Sequence, residues 1–221
     1  MTEGGAILHY TERPAHPRPS LLAQCLSRLS PQRHRVLEAL ATERCVDSLL
    51  GSALALSAAR ALGWPRDPGT IEYPDGGKPA WRSGPGFSIA HAAGLVACAM
   101  RRDGGAVGCD IEAVRTVAAS DLRLVVDDEE RALLETMRLS PAALWTCKEA
   151  ALKWAGLGVR HATRPRVGVD GVALADRKLH CVTLDLPGGC IASVVADTTP
   201  EPLVLVAHEP LALLEAMATM P

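Results

Sequence analysis

Trp145-Thr146-Cys147-Lys148-Glu149-Ala150-Ala151-Leu152-Lys153 reads as helix with an acid and a base one turn apart. Glu149 and Lys153 are four residues apart, so a helical turn sets them on one side, with Trp145 a turn earlier on that side. Lys148 and Leu152 flank that line. Ser140-Pro141 is a helix start, with serine as cap and proline at the first position. The helix is therefore expected over 141–155, preceded by another over 127–138. Taken alone, Glu149 and Lys153 describe a surface ion pair worth only a few tenths of a kcal/mol (~0.3). A second acidic cluster upstream, Asp110-Ile111-Glu112, makes the stretch informative.

Outward from this helix, the chain reads as helix followed by strands, twice. Val36, Leu37, Leu40, Val46, Leu49, Leu50, Leu54 and Leu56 recur at helical spacing from Pro31 to about Leu62, with a break near Thr42. Trp64 to Pro85 is turn-rich. Strands are expected at Gly86–His91, Leu95–Arg101 and Ala106–Glu112, the last two joined as a hairpin through Arg101-Arg102-Asp103-Gly104-Gly105. After the second helical region come Val167–Leu174, Leu179–Leu186, Cys190–Ala196 and Leu203–Ala207, then a short helix from Pro210. Residues 1–30 read as a short strand at Ala6-Ile7-Leu8 and a loop. The class is α+β, with two similar α/β lobes of roughly 100 residues each. The division falls between residues 1–105 and 106–221.

Composition excludes more than it assigns. The chain has 221 residues, 48% hydrophobic and 22% charged, with a net charge of −2. That balance offers no electrostatic argument for nucleic acid or a membrane surface. Seven cysteines are scattered without CxxC spacing, as expected of free thiols in a reducing cytosol. No charged-then-apolar leader and no run of about 20 apolar residues is seen, so a cytoplasmic protein is expected. The chain has 19 arginines but only four lysines, at positions 78, 148, 153 and 178. Lysine supplies a compact ammonium that arginine does not, and two of the four sit in the helix quoted above.

In Val107-Gly108-Cys109-Asp110-Ile111-Glu112, strand alternation puts Asp110 and Glu112 on one face. Two adjacent carboxylates repel unless solvated or bound to a cation. Glu149 makes a third hard oxygen donor, a set that suits Mg²⁺. Lys78, after Gly76-Gly77, can present an ammonium to a phosphate, and His91 ends a strand nearby. Each has a plainer reading: a solvated strand end, a loop lysine, a partly buried histidine. No GxxxxGK[ST], GxSxG or HExxH pattern is present.

Three blocks in order carry a resemblance. They are Gly77-Lys78-Pro79 with Phe87-Ser88-Ile89-Ala90-His91, then Gly108-Cys109-Asp110-Ile111-Glu112, then Trp145-x-x-Lys148-Glu149-Ala150-x-x-Lys153-x-x-Gly156-x-Gly158. On these the chain resembles the Sfp-type 4′-phosphopantetheinyl transferases, over roughly residues 30–175. The resemblance implies a monomeric pseudo-dimer: two lobes related by a pseudo-two-fold, with the active site in the cleft between them. It implies transfer of phosphopantetheine from coenzyme A to a serine of an apo acyl, peptidyl or aryl carrier protein, in fatty acid, polyketide or nonribosomal peptide synthesis. Asp110, Glu112 and Glu149 would hold Mg²⁺. Glu149 would be the base and Lys153 would face the transferring phosphate, while Lys78, His91 and Lys148 would contact coenzyme A. Two departures stand out. Ala90 replaces a frequent serine, with Ser88 two residues away. Asp47 replaces a usual arginine, for which Arg44, or else Arg33, His34 or Arg35, would substitute. The alternatives are a Mg²⁺-dependent phosphohydrolase of coenzyme A-like nucleotides and a non-catalytic coenzyme A- or carrier-binding module.

Overall fold

The computed structural model describes residues 5–74 and 77–220. The first part of the chain runs β1 (Ala6–Glu12), α1 (Pro19–Ser27), α2 (Pro31–Glu38), α3 (Thr42–Ala61), β2 (Ile71–Glu72), β3 (Ala80–Trp81), β4 (Phe87–Ala92) and β5 (Leu95–Arg101). The second runs β6 (Val107–Ala113), α4 (Ala119–Leu122), α5 (Asp128–Glu135), α6 (Pro141–Trp154), β7 (Arg166–Gly168), β8 (Gly171–Leu174), β9 (Arg177–Leu186), β10 (Cys190–Ala196), β11 (Leu203–His208) and α7 (Pro210–Ala218). Hydrogen bonding builds one sheet in the order β11-β1-β5-β4 and another in the order β6-β10-β9-β8-β7, with β2 and β3 as a separate ribbon. The protein is a mixed α+β fold with several sheets, as the residue pattern implies.

Small residues let the two large sheets meet face to face. Ala6, Ala90, Ala97 and Ala99 of the first pack with Cys109, Ala192 and Val194 of the second. The Ser88 hydroxyl accepts a hydrogen bond from the Cys109 N–H at 3.0 Å and joins β4 to β6 across this junction. The outer face of the first sheet (Phe87, Val96, Met100) is covered by α3 through Leu49, Leu50 and Leu54, with α1 and α7 completing the cluster. Each such leucine contributes on the order of 1.5–3 kcal/mol by leaving water. The outer face of the second sheet is covered by α6, through Leu144, Cys147, Ala150 and Ala151. Each sheet thus carries one long helix outside it.

Several expectations hold and four need correction. The helical run breaks where Thr42 predicts, α2 ending at Glu38 and α3 starting at Thr42. Helix α1 lies where a loop was expected. Pro19 occupies its first turn, and Leu21 and Cys25 are its buried positions, a stripe too short to stand out beside the preceding Pro/Arg-rich stretch. Val167–Leu174 is a hairpin of β7 and β8 rather than one strand. Arg101–Gly105 does not close a hairpin ladder: β5 and β6 belong to different sheets. The turn is instead held by the buried Arg101 guanidinium, paired with both Asp103 and Asp197. Finally, the chain does not divide at residue 105. Strand β11 pairs parallel with β1, and α7 packs beside α1 and α3, so the C-terminal segment returns to the first sheet. No helix among the described residues is long and apolar enough to cross a membrane.

Candidate active site

Strand β6 and helix α6 build the site together. Gly108, Asp110 and Glu112 alternate onto the face that meets α6. A Cβ on Gly108 would stand 1.9 Å from the Ala150 carbonyl oxygen and 2.6 Å from the Trp154 nitrogen. Only glycine lets the helix backbone lie this close to the strand. The Ser140 hydroxyl caps α6 by accepting the Ala143 N–H at 3.1 Å. The docked helix carries Glu149 and Lys153 to the carboxylates of β6.

Lys153 donates to Asp110 Oδ1 at 2.7 Å and, more weakly, to the Ile89 carbonyl at 3.4 Å. Asp110 Oδ2 is buried with no hydrogen-bond partner among the described residues. Burial pushes the Asp110 carboxyl up against the opposing pull of Lys153. Burial is the largest single influence on the Lys153 ammonium and disfavours it, but Asp110, Cys109 and Glu149 together outweigh it, so that amine is shifted upward. Glu112 is raised by burial and then by the Asp110 charge, while neighbouring Trp145 and Lys153 act the other way. Glu149 is raised by burial and then by Asp110 and Glu112, with Lys153 opposing. The three carboxylates thus lie within electrostatic reach of each other. They are not gathered into a ligand set: among the described residues no group of three His, Cys, Asp or Glu side chains is arranged to hold a metal ion. The Lys153 ammonium is the cation nearest Asp110.

A cavity of about 310 Å³ opens beside this cluster, and Lys78, Ser88, Glu149, Lys153, Gly156 and Gly158 are on its wall. Lys78 donates to the Val107 carbonyl at 2.6 Å. Burial lowers its amine to about 8. The expectation that two glycines present this lysine falls partly on Gly76, which lies outside the described residues. Ser88 faces the cavity, but its hydroxyl is engaged by Cys109. His91 is exposed and is not on the cavity wall, although its ring acts electrostatically on both Asp47 and Asp110.

The early basic residues divide. Asp47 is buried on α3 and paired with Arg13 at 3.2 Å, and Arg13 also reaches Glu43 at 3.3 Å. Arg13 was missed because its partner lies 34 residues away in sequence. Arg44 is exposed on α3, away from the cavity wall, and Arg33 stacks over the Tyr73 ring at 3.7 Å. Lys148 is the clearest correction. Its side chain is 1% exposed, and its ammonium pairs with Glu130 at 2.7 Å and donates to the Pro165 carbonyl at 2.6 Å. Glu130 also accepts the N–H groups of Asp127 and Val167. Lys148 therefore points into the core, where a contact with coenzyme A is not available. One residue along a helix is a rotation of about 100°, enough to separate it from Glu149.

Residues 106–183, which contain β6, α6 and the strands beneath them, match the family model of the 4′-phosphopantetheinyl transferase superfamily. Over these residues the chain is similar to that superfamily. The resemblance carried by the sequence blocks is thereby supported where the acidic cluster lies. Among curated proteins, none matches the chain. The matched segment supplies Asp110, Glu112, Glu149 and Lys153, and Lys78 reaches the same cavity from outside it.

Proposed function

We propose that the protein transfers the 4′-phosphopantetheine group of coenzyme A to a serine hydroxyl of an apo carrier protein, releasing adenosine 3′,5′-bisphosphate. The observation carrying this reading is the mixed-charge wall of one cavity: Glu149 and Lys153 from α6 and Lys78 from the first half of the chain, beside buried Asp110. Such transfer asks a protein for positioning and charge neutralisation more than for a covalent intermediate. The cleft between two pseudo-symmetric lobes, a monomeric state and a cytoplasmic location belong to the same reading.

The residues divide the work by chemistry. Lys78 and Lys153 bind and orient the phosphates, with His91 and Arg44 at the outer, exposed side. Glu149, its carboxyl raised by burial and by two acidic neighbours, takes the proton from the serine oxygen as that oxygen bonds to the β-phosphate. The donor chemistry suits a hard divalent ion: Asp110 Oδ2 lacks a partner, and Asp110, Glu112 and Glu149 repel one another. Drawn together from their separated positions, these three would hold Mg²⁺, which when bound would neutralise pyrophosphate charge.

The test is mass spectrometry of a panel of apo carriers incubated with the protein, coenzyme A and Mg²⁺. A carrier gains the phosphopantetheine mass, and Glu149→Ala abolishes the gain while circular dichroism stays unchanged. Undiminished labelling by Glu149→Ala removes Glu149 from the mechanism. Consumption of coenzyme A without any carrier would indicate a phosphohydrolase instead.

A further inference from the structure

Behind the site, α6 faces a polar pocket in the second sheet that the transfer reaction does not use. Thr146 and Cys147 of α6 meet Cys181 and Thr183 of β9 and Ser193 of β10. The Cys147 and Cys181 sulfurs stand 2.8 Å apart. Cys147 Sγ is also 3.4 Å from both Thr183 Oγ1 and Ser193 Oγ. The hydroxyls are joined to each other, Thr183 to Ser193 at 2.9 Å and Ser193 to Thr146 at 2.7 Å. Two observations set this pair apart. It is the only sulfur–sulfur contact among the described residues. It also lies in a hydroxyl-lined pocket, whereas a structural thiol is ordinarily surrounded by apolar groups.

We propose that Cys147 and Cys181 are a reversible dithiol–disulfide modification site whose oxidant is a low-molecular-weight disulfide. Geometry assigns the order of events. Cys181 is partly exposed and Cys147 is buried. The Cys181 sulfur attacks the small disulfide, forming a mixed disulfide and expelling one small thiol. The Cys147 sulfur, already in contact, then attacks Cys181 Sγ. A Cys147–Cys181 bond forms and the second small thiol leaves. Two cysteine thiols are oxidised, one small disulfide is reduced to two thiols, and the two protons go with them. A sulfur–sulfur bond is about 2.05 Å long, so closure asks for an approach of under 1 Å. The link joins α6, which carries Glu149 and Lys153, to β9. It also removes both S–H groups beside Ser193, the cross-strand neighbour of Asp110.

The proposal does not depend on the transferase reading, and its test reads the covalent bond directly. The reduced full chain is incubated under native conditions with oxidised glutathione, quenched with an alkylating agent and weighed intact. The expected product has lost about 2 Da and leaves five of its seven cysteines to be alkylated. Digestion with trypsin and a protease cutting before Asp185 separates Cys181 from Cys190. It should yield the Leu139–Lys148 peptide bound to the peptide carrying Cys181. Dithiothreitol reverses the link, and Cys181→Ser does not form it. A persistent glutathione adduct on Cys181, first oxidation at any of the other five cysteines, or no link in the folded wild-type chain would overturn the proposal.

Discussion

Replacing Gly108 by alanine tests whether the close seating of α6 on β6 builds the site. The new methyl would sit 1.9 Å from the Ala150 carbonyl oxygen. Ordinary contact begins near 3.4 Å, so helix or strand must retreat by about 1.5 Å. Overpacking of this kind costs about 1–3 kcal/mol. Alanine recovers about 0.5–1 kcal/mol through its smaller loss of backbone freedom. The net effect is a loss of about 0–2.5 kcal/mol. Function should suffer more, because the retreat moves Glu149 and Lys153 away from Asp110, and a misplacement of about 1 Å can cost ~10²-fold in rate. Urea denaturation gives the stability loss, and transfer of phosphopantetheine to an apo carrier gives the rate. Gly168→Ala is the control, since its Cβ would meet nothing closer than 3.9 Å. If Gly108→Ala matches wild type in both midpoint and rate, the close approach does not position the site.

Lys148→Met leaves the Glu130 carboxylate buried without its cation, which costs about 3–5 kcal/mol. Adding Glu130→Gln should restore most of that stability in urea denaturation, whereas a mild effect of the single change would return Lys148 to the ligand-binding side. Lys78 titrates at about 8, below its ordinary 10.5, because burial disfavours its charge. Between these values the unfolded chain holds more protons than the folded one, so the contribution of Lys78 to stability rises with pH across that window. Phosphate binding runs oppositely, because the ammonium is lost above about pH 8. Calorimetric titration should show coenzyme A binding weaken across that range for wild type but not for Lys78→Arg; equal slopes would exclude Lys78 from the phosphate contacts.

Local chemistry made some features legible in the sequence, and distant partners hid the others. The alternation in β6 identifies the face of Asp110 and Glu112, and the i,i+4 spacing identifies the side of Glu149 and Lys153. The nearness of β6 and α6 rests on Gly108, whose need appears only when the Ala150 carbonyl is opposite it. Lys148 looked like a member of the site because it adjoins Glu149. Its partner, Glu130, was one of four consecutive acids, Asp127 to Glu130, and spacing alone does not say which one is buried. The hairpin expected at Arg101–Gly105 failed for a similar reason, since Asp197 lies 96 residues away. Strand existence was readable, but the assignment of strands to sheets was not.

The parallel pairing of β1 with β11 governs when this molecule can be finished. Thr11 and the backbone of His208 meet across a sequence separation of 197. As the protein is synthesised, β6 to β10 and α6 can associate once Ala196 has emerged, before β11 is made. The first sheet must wait for its outer strand, and α1 and α3 for the cover of α7. Contacts of such long sequence separation are slow to form. The second sheet and α6 are thus able to assemble while the sheet bearing His91 is still incomplete, so a ribosome stalled before Leu203 would display the acidic cluster of β6 and α6 beside an unfinished first sheet.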